Sequence, residues 1–380
     1  MRFEMPTPEE FRQRFPALTD TAHFASCSQG AMSDALVSAL LELQYTMREQ
    51  GAPWHRWMEE VDTARDMFAD LIGAHPDEVA VVSCASAAAF QVASTQDWAH
   101  RPRIVTTDME FPSIAHVWLA QQPFGAQIVH ASEHDGILET SDYESLIDET
   151  CSLVSVPLVS YRNGLRLPMK GVIQAAKSAG ARTFVDAYQG TGVEPIDVHE
   201  LDCDYLTSGS LKYLLGLPGI AFLYVRSGMK DAAPPVQTGW FGQTDPYSFD
   251  PLRLDQPPHA RRFESGTPSI PSAFGAVAGM RMIQMLEPAA VMEHIAALTQ
   301  ELHERLLAEG CALWSPDDPA LRGPQVALVD DDPDDLAAFL AERRIVTSPR
   351  GRLLRLSLHY YNTSADIDSL VEGMRAYRSA

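Results

Sequence analysis

The sequence predicts an α/β protein: a large parallel or mixed sheet covered by helices on both faces, followed by a smaller α/β unit. Three observations carry this. Short, mostly apolar runs of strand length alternate with helical patterns between residues 79 and 225, which is how strands buried on both faces read. After an irregular stretch, roughly the last 70 residues repeat strand, helix, strand and helix. The chain has 380 residues, 46% of them apolar, which is too long for one compact core and too apolar for disorder.

In chain order, the first 20 residues read as an arm with a short helix, started by Pro6, Thr7, Pro8 and Glu9. Residues 34–50 and 55–73 have helical spacing of apolar residues. VAVVS (79–83) is a strand, ASAAAFQVAS (85–94) a helix, RIVTTD (103–108) a strand and IAHVWLAQQ (114–122) a helix. AQIVHA (126–131), SLVSVPLVS (152–160), TFVDA (183–187), YLTSG (205–209) and GIAFLYV (219–225) are further strands, with a helix over 169–180. Residues 234–270 are rich in Pro and aromatic residues, without periodicity. One long helical pattern then runs over 272–309, followed by a strand (325–329), a helix (334–343), a strand (353–358) and a terminal helix (364–378). The expected division is an arm at 1–20 packing on the small domain, a large domain at 21–270 and a small C-terminal domain at 271–380. The acidic run of Asp330, Asp331, Asp332, Asp334 and Asp335 falls at a helix start, where the helix dipole favours negative charge.

Composition narrows the function classes. Lys and Arg total 29 against 51 Asp and Glu, a formal charge of −22, so nucleic acid and anionic membrane surfaces are not expected partners. The five Cys, at 27, 84, 151, 203 and 311, form no CxxC pair and leave an odd count, which predicts no disulfide framework and no Cys-based zinc site, in keeping with a reducing cytoplasm. The N-terminus lacks an apolar leader core, and no run of about 18 apolar residues occurs, so a soluble, unexported protein is expected.

GxxxxGK[ST], HExxH and GxSxG are absent, and the residue three before Lys212 is Gly209, not Ser. His130 and His134 have metal spacing but no helix to carry it, so no metal is expected there. Gly190 and Gly192 make half a dinucleotide fingerprint. What remains is a constellation. Asp186 ends an apolar strand, where a carboxylate gains no packing and where ligands of open α/β sheets bind. Lys212 lies 26 residues on, beside apolar residues that lower an amine's pKa and make it a nucleophile toward carbonyls. Ser83, Ser86 and the Ala-rich helix start offer a phosphate seat on free backbone N–H groups. A phosphate seat, an imine-forming Lys and an acid for a ring nitrogen together describe a pyridoxal phosphate site.

The order and spacing of these features resemble the class V aminotransferase family of fold type I pyridoxal phosphate enzymes, which includes cysteine desulfurases, selenocysteine lyases, kynureninases and isopenicillin N epimerase-like proteins. The resemblance runs from HFASCSQGAMSDAL through DAYQGTGVEPIDV, DCDYLTSGSLK, GLPGIAFLYV and RRFESGTPS to RLSLHYYNT. It implies that Lys212 forms the Schiff base with the cofactor, that Asp186 keeps the pyridine nitrogen protonated, and that Gln189 bonds the ring phenolate oxygen. Ser86 and Ala87 then match the phosphate-binding helix start, and Ser208 or Ser210 supplies a further phosphate contact. Thr267 reaches the phosphate of a partner subunit in a homodimer with composite sites. Arg355 clamps the α-carboxylate of a small amino-acid substrate, a bidentate task suited to guanidinium.

The chain departs from that pattern in four places. Phe111 stands where many relatives stack His on the ring, so proton transfer is left to Lys212. Leu211 replaces a common His before the Lys. The loop in RIVTSPRGRLLRLS has no Cys, which argues against desulfurase-type persulfide chemistry. Tyr161 replaces a common Asn. Transamination is the expected reaction, with β-elimination, epimerisation and cofactor binding without turnover as alternatives. Trp54, His55, Arg56 and Trp57 are expected to serve helix packing, Cys27 to be a small buried side chain, and Trp240 with Phe241 to form a pocket loop or plain core.

Overall fold

The computed structural model describes residues 5–230 and 233–379. The expected helix in the arm is α1 (Pro8–Arg12), capped by Thr7, whose hydroxyl accepts from the Glu10 N–H while the Glu10 side chain accepts from the Thr7 N–H. Residues 1–4 of the expected arm lie outside the described residues. Strand β1 (Ala22–His23) leads to helices α2 (Asp34–Gln50) and α3 (Trp54–Leu71). The alternating region then gives β2 (Val79–Val82), α4 (Ala85–Ser94), β3 (Arg103–Thr107), α5 (Pro112–Leu119), β4 (Gln127–Ala131), α6 (Thr140–Glu144), β5 (Cys151–Pro157), α7 (Met169–Ser178), β6 (Arg182–Asp186), α8 (Val198–Leu201), β7 (Tyr205–Gly209) and β8 (Ala221–Val225). Helices α9 (Ile270–Ile283) and α10 (Pro288–Ala308) follow, then β9 (Gln325–Val329), α11 (Pro333–Ala341), β10 (Ile345–Val346), β11 (Ser348–Arg350), β12 (Leu353–Ser357) and α12 (Ser364–Arg378).

Seven strands form one sheet in the order β2-β8-β7-β6-β5-β3-β4, and β8 alone runs against the rest. The mixed sheet is thus as the sequence implies. After β4 the chain returns to the other side of β3 to add β5, so the direction of strand addition reverses between β3 and β5, and a crevice opens there at the carboxyl ends of the strands. A second, three-stranded antiparallel sheet has the order β11-β12-β9. Its hairpin turns on Gly351, whose φ of +57° suits a two-residue loop between Arg350 and Leu353.

The single long helix expected over 272–309 is two. Pro288 has no N–H to offer Gln284, and its ring would crowd that carbonyl, so α9 stops at Ile283 and Pro288 opens α10 as its first residue. Helix α9 is buried almost all round and packs on α2 and α3. Its Gly279 admits the Lys212 loop: a Cβ there would collide with the Leu214 carbonyl oxygen.

Candidate active site

A cavity of about 290 Å³ lies in the crevice at the strand ends, and its walls bring together Lys212, Asp186, Gln189, Ser86, Phe111, Tyr161 and Arg355. Asp186 closes β6, is 6% exposed, and accepts a 2.9 Å hydrogen bond from the Tyr188 N–H. Burial holds its carboxyl above the usual carboxylate range, against the opposing pull of that N–H and of Lys212.

Lys212 is carried by a tight turn after β7. Leu215 in that turn takes φ +60°, a left-handed conformation that costs a branched residue on the order of 1 kcal/mol. Packing enforces it from three sides. Gly30 of the SCSQG segment lets the backbone approach, since a Cβ there would strike the Lys212 carbonyl oxygen, and the Gly30 N–H donates to Leu211 O at 3.1 Å. Gly279 closes the second side. His359 supplies the third: its Nε2–H donates to Tyr213 O at 3.0 Å while its Nδ1 accepts the Tyr360 N–H at 2.8 Å, and burial pulls its pKa down to about 4, so it stays neutral. The conspicuous RLSLHYYNT segment therefore buttresses the Lys212 turn.

The Lys212 amine sits 4.3 Å from the Tyr188 ring centroid and 5.2 Å from that of Phe111. Burial lowers its pKa to about 8; Asp186 and Cys27 oppose this, and the charges of Arg355 and Arg350 add to it. At pH 7 about a tenth of such amines are neutral, roughly 300-fold more than for an ordinary Lys. Phe111 meets Tyr161 edge-on at 5.0 Å. Arg355 is 2% exposed and donates to Ser348 O, Ser348 Oγ and Tyr161 O, with no carboxylate in ion-pair range among the described residues.

Several candidates stand elsewhere. Ala87 lies one residue beyond the wall residues Ala85 and Ser86 of α4, whose first N–H groups have no side-chain cap. Ser208 and Ser210 are both buried and neither lines the cavity. The Ser210 hydroxyl is committed to Leu217 O at 2.8 Å, and that of Ser208 leans on Gly209 O. Thr267 is exposed on a separate hollow of about 310 Å³. Trp57 packs in the helix core with Leu43 and Phe274 and donates to Thr46 Oγ1 at 3.2 Å, while Trp54 and Trp240 join an exposed aromatic cluster with Tyr247 and Phe249.

Glu110, Cys84 and Arg350 are among the wall or sub-wall residues that the sequence does not single out. Glu110, 4% exposed behind Phe111, accepts from the Phe111 N–H at 2.9 Å and from Ser155 Oγ at 3.0 Å; Ser155 in turn accepts from Trp118 Nε1 at 3.1 Å. Its pKa is pushed up to about 8, first by burial and then by Asp186. Cys84 lines the cavity before α4, and so does Cys27, buried as expected yet facing Lys212. Arg350 stands on the rim. An isolated Glu in a loop and an Arg beside a turn carry no periodic signal.

The cavity suits pyridoxal phosphate on its own terms. A helix N-terminus with free N–H groups faces one end, an amine and a strand-end acid stand at the centre, and Gln189 Oε1 is buried there without a partner while Nε2 donates to Cys27 O.

Fold and site together define a fold type I, pyridoxal phosphate-dependent enzyme. The chain belongs to the aminotransferase class-V family, whose model matches residues 33–370. An uncharacterized aminotransferase of Bacillus subtilis is 33% identical over 369 residues, covering 97% of this chain and 98% of that protein. The apo structure of a cysteine desulfurase from Thermococcus onnurineus superposes with a TM-score of 0.88 at 26% identity, covering 98% of both chains. A mutant of the enzyme C-DES, with glycine covalently linked to its pyridoxal phosphate, superposes with a TM-score of 0.86 at 20% identity over 95% of this chain and 98% of the other.

Proposed function

We propose that this enzyme transaminates a small amino acid, with Lys212 as attachment point and base and Arg355 as the seat of the substrate α-carboxylate. One observation carries the reading: a buried guanidinium without a counter-ion among the described residues shares a cavity with an amine whose pKa is lowered to about 8. An unpaired buried cation is costly, and a carboxylate ligand relieves that cost. Asp186, from its strand end, would face the ring nitrogen. Gln189 would give its spare capacity to the ring oxygen, and Ser86 with the α4 N–H groups would seat the phosphate, with Phe111 and Tyr161 as ring walls. Bound there, pyridoxal phosphate supplies an aldehyde that captures amines and a ring that accepts the electrons left at Cα. Lys212, freed as a neutral amine, would take the Cα proton and pass it to the cofactor's aldehyde carbon, C4′.

A second reading, cleavage of a Cβ–sulfur bond, draws on the two thiols of the wall, Cys27 and Cys84. The test is a panel of amino acids mixed with holoenzyme. Transamination accumulates pyridoxamine phosphate and the matching keto acid; stoichiometric ammonia with pyruvate, and no pyridoxamine form, would replace the first reading by the second.

We also propose a homodimer. Its support is apolar surface left open: Val37, Leu41 and Tyr45 at four-residue spacing on α2, and Val236, Leu252 and Leu254 beyond β8, Leu252 at 94% exposure. Thr267 lies on the hollow it would offer a partner's cofactor. Sedimentation should give twice 41.8 kDa, and a monomer at micromolar concentration would refute it.

A further inference from the structure

Register sets two arginines on one face of the C-terminal hairpin. Arg355 pairs with Ser348 and Arg350 with Leu353, so Arg350 and Arg355 are diagonal neighbours, about 7–8 Å apart at the backbone, and both line the cavity. Arg355 is anchored by three hydrogen bonds. Arg350 is exposed and has one long contact, 3.4 Å to Pro349 O, with no carboxylate in ion-pair range among the described residues. Three other arginines nearby in sequence are paired: Arg343 with Glu342, Arg344 with Asp20 and Arg352 with Asp331. In a chain of formal charge −22, Arg350 and Arg355 thus both stand on one cavity without an ion-pair partner among the described residues. The cavity wall holds three cationic side chains, Lys212, Arg350 and Arg355, against one carboxylate, Asp186.

Arg350 also lies at the edge, not the centre. With Tyr161 it forms the partition to an adjoining hollow of about 540 Å³, where the Arg162 guanidinium stacks on Trp314 at 4.5 Å. A substrate held by its α-carboxylate on Arg355 would extend its far end toward Arg350.

We infer that Arg350 receives a second negative charge, and that the substrate is a dicarboxylic amino acid whose side-chain acid sits on the hairpin tip. This rests on the assignment of Arg355 to the α-carboxylate. Guanidinium suits the task, since it offers a planar fork to a carboxylate.

The test uses holoenzyme and two readouts. Calorimetric titration with succinate and glutarate, against propionate and butyrate, measures binding without turnover. Initial rates with aspartate and glutamate, against alanine and 2-aminobutyrate, measure selectivity. Wild type should prefer the diacids in both. In Arg350→Gln the ratio of diacid to monoacid affinity, and of acidic to neutral kcat/KM, should fall about ten- to a hundred-fold, the effect of one charged hydrogen-bonding partner. Arg350→Lys should restore part of it. Equal losses for both classes would place Arg350 on the α-carboxylate, and unchanged ratios would place it outside the site; either overturns this inference alone. Failure of every carboxylate to bind and every amino acid to react would overturn the Arg355 assignment, and this inference with it.

Discussion

Lys212→Ala is expected to lower turnover by on the order of 10³-fold or more, because in the proposed mechanism one side chain supplies both the covalent attachment and the Cα base. The attachment can be read without turnover. Borohydride reduces a carbon–nitrogen double bond and makes it permanent, so wild type should carry reduced cofactor on one peptide after digestion. The chain has four lysines, at 170, 177, 212 and 230, which makes the peptide map short. Lys170 is exposed on α7, Lys177 is ion-paired with Asp202, and neither lines the cavity. Cofactor fixed on Lys170, Lys177 or Lys230, or fixation that survives in Lys212→Ala, would refute the assignment.

The same amine makes a pH statement. Its pKa is depressed to about 8 by burial, so the folded state binds fewer protons there than the unfolded chain between about pH 8 and 10.5. Enclosing the cation costs stability below that window, and the cost is lifted as pH rises through it. Lys212→Met, apolar and unbranched, should therefore gain most over wild type below pH 8 and lose the advantage toward pH 10.5 in thermal melts of the apo protein. A difference independent of pH would mean that the amine is solvated.

The fold was legible where side-chain period and apolar runs speak directly. TFVD and AFLYV read as strands because burial on both faces leaves no polar alternation, and Asp186 stood out because a carboxylate at such a strand end has no packing role. The split between α9 and α10 was available in Pro288 and went unread, since the apolar spacing continues across it. The hairpin of β11 and β12 could not be read: SPR is three residues long, and tertiary contact with Arg355 holds it. Ser208 and Ser210 show what spacing alone leaves out. A hydroxyl near a nucleophilic Lys looks available in sequence, yet Ser210 Oγ has a partner, Leu217 O, in the turn that follows Lys212. Glu110 was invisible for a related reason, because its donor Ser155 and its neighbour Asp186 come from two other strands, β5 and β6.

Asp186→Asn should leave the chain folded and reduce kcat/KM on the order of a hundred- to a thousand-fold, the range seen when one partner of a buried charge pair is removed. The amide keeps the shape at the end of β6 but cannot hold a protonated ring nitrogen, so the loss should fall on kcat more than on KM. A structural role would instead appear as a lowered Tm with kcat per folded site intact. The electrostatics give a third readout. Burial raises the carboxyls of both Asp186 and Glu110, and Asp186 adds to the rise at Glu110. A raised carboxyl stabilises the fold fully below its unfolded pKa, and the contribution is lost as pH climbs through the folded value, about 8 for Glu110. The contribution of these two carboxyls to the stability of the apo protein should accordingly be lost between about pH 4.5 and 8. In Asp186→Asn the Asp186 contribution is gone and Glu110 titrates lower without its charged neighbour, so the decline should be shallower and finish earlier. An identical slope in the two proteins would mean that the Asp186 charge does not raise the Glu110 carboxyl.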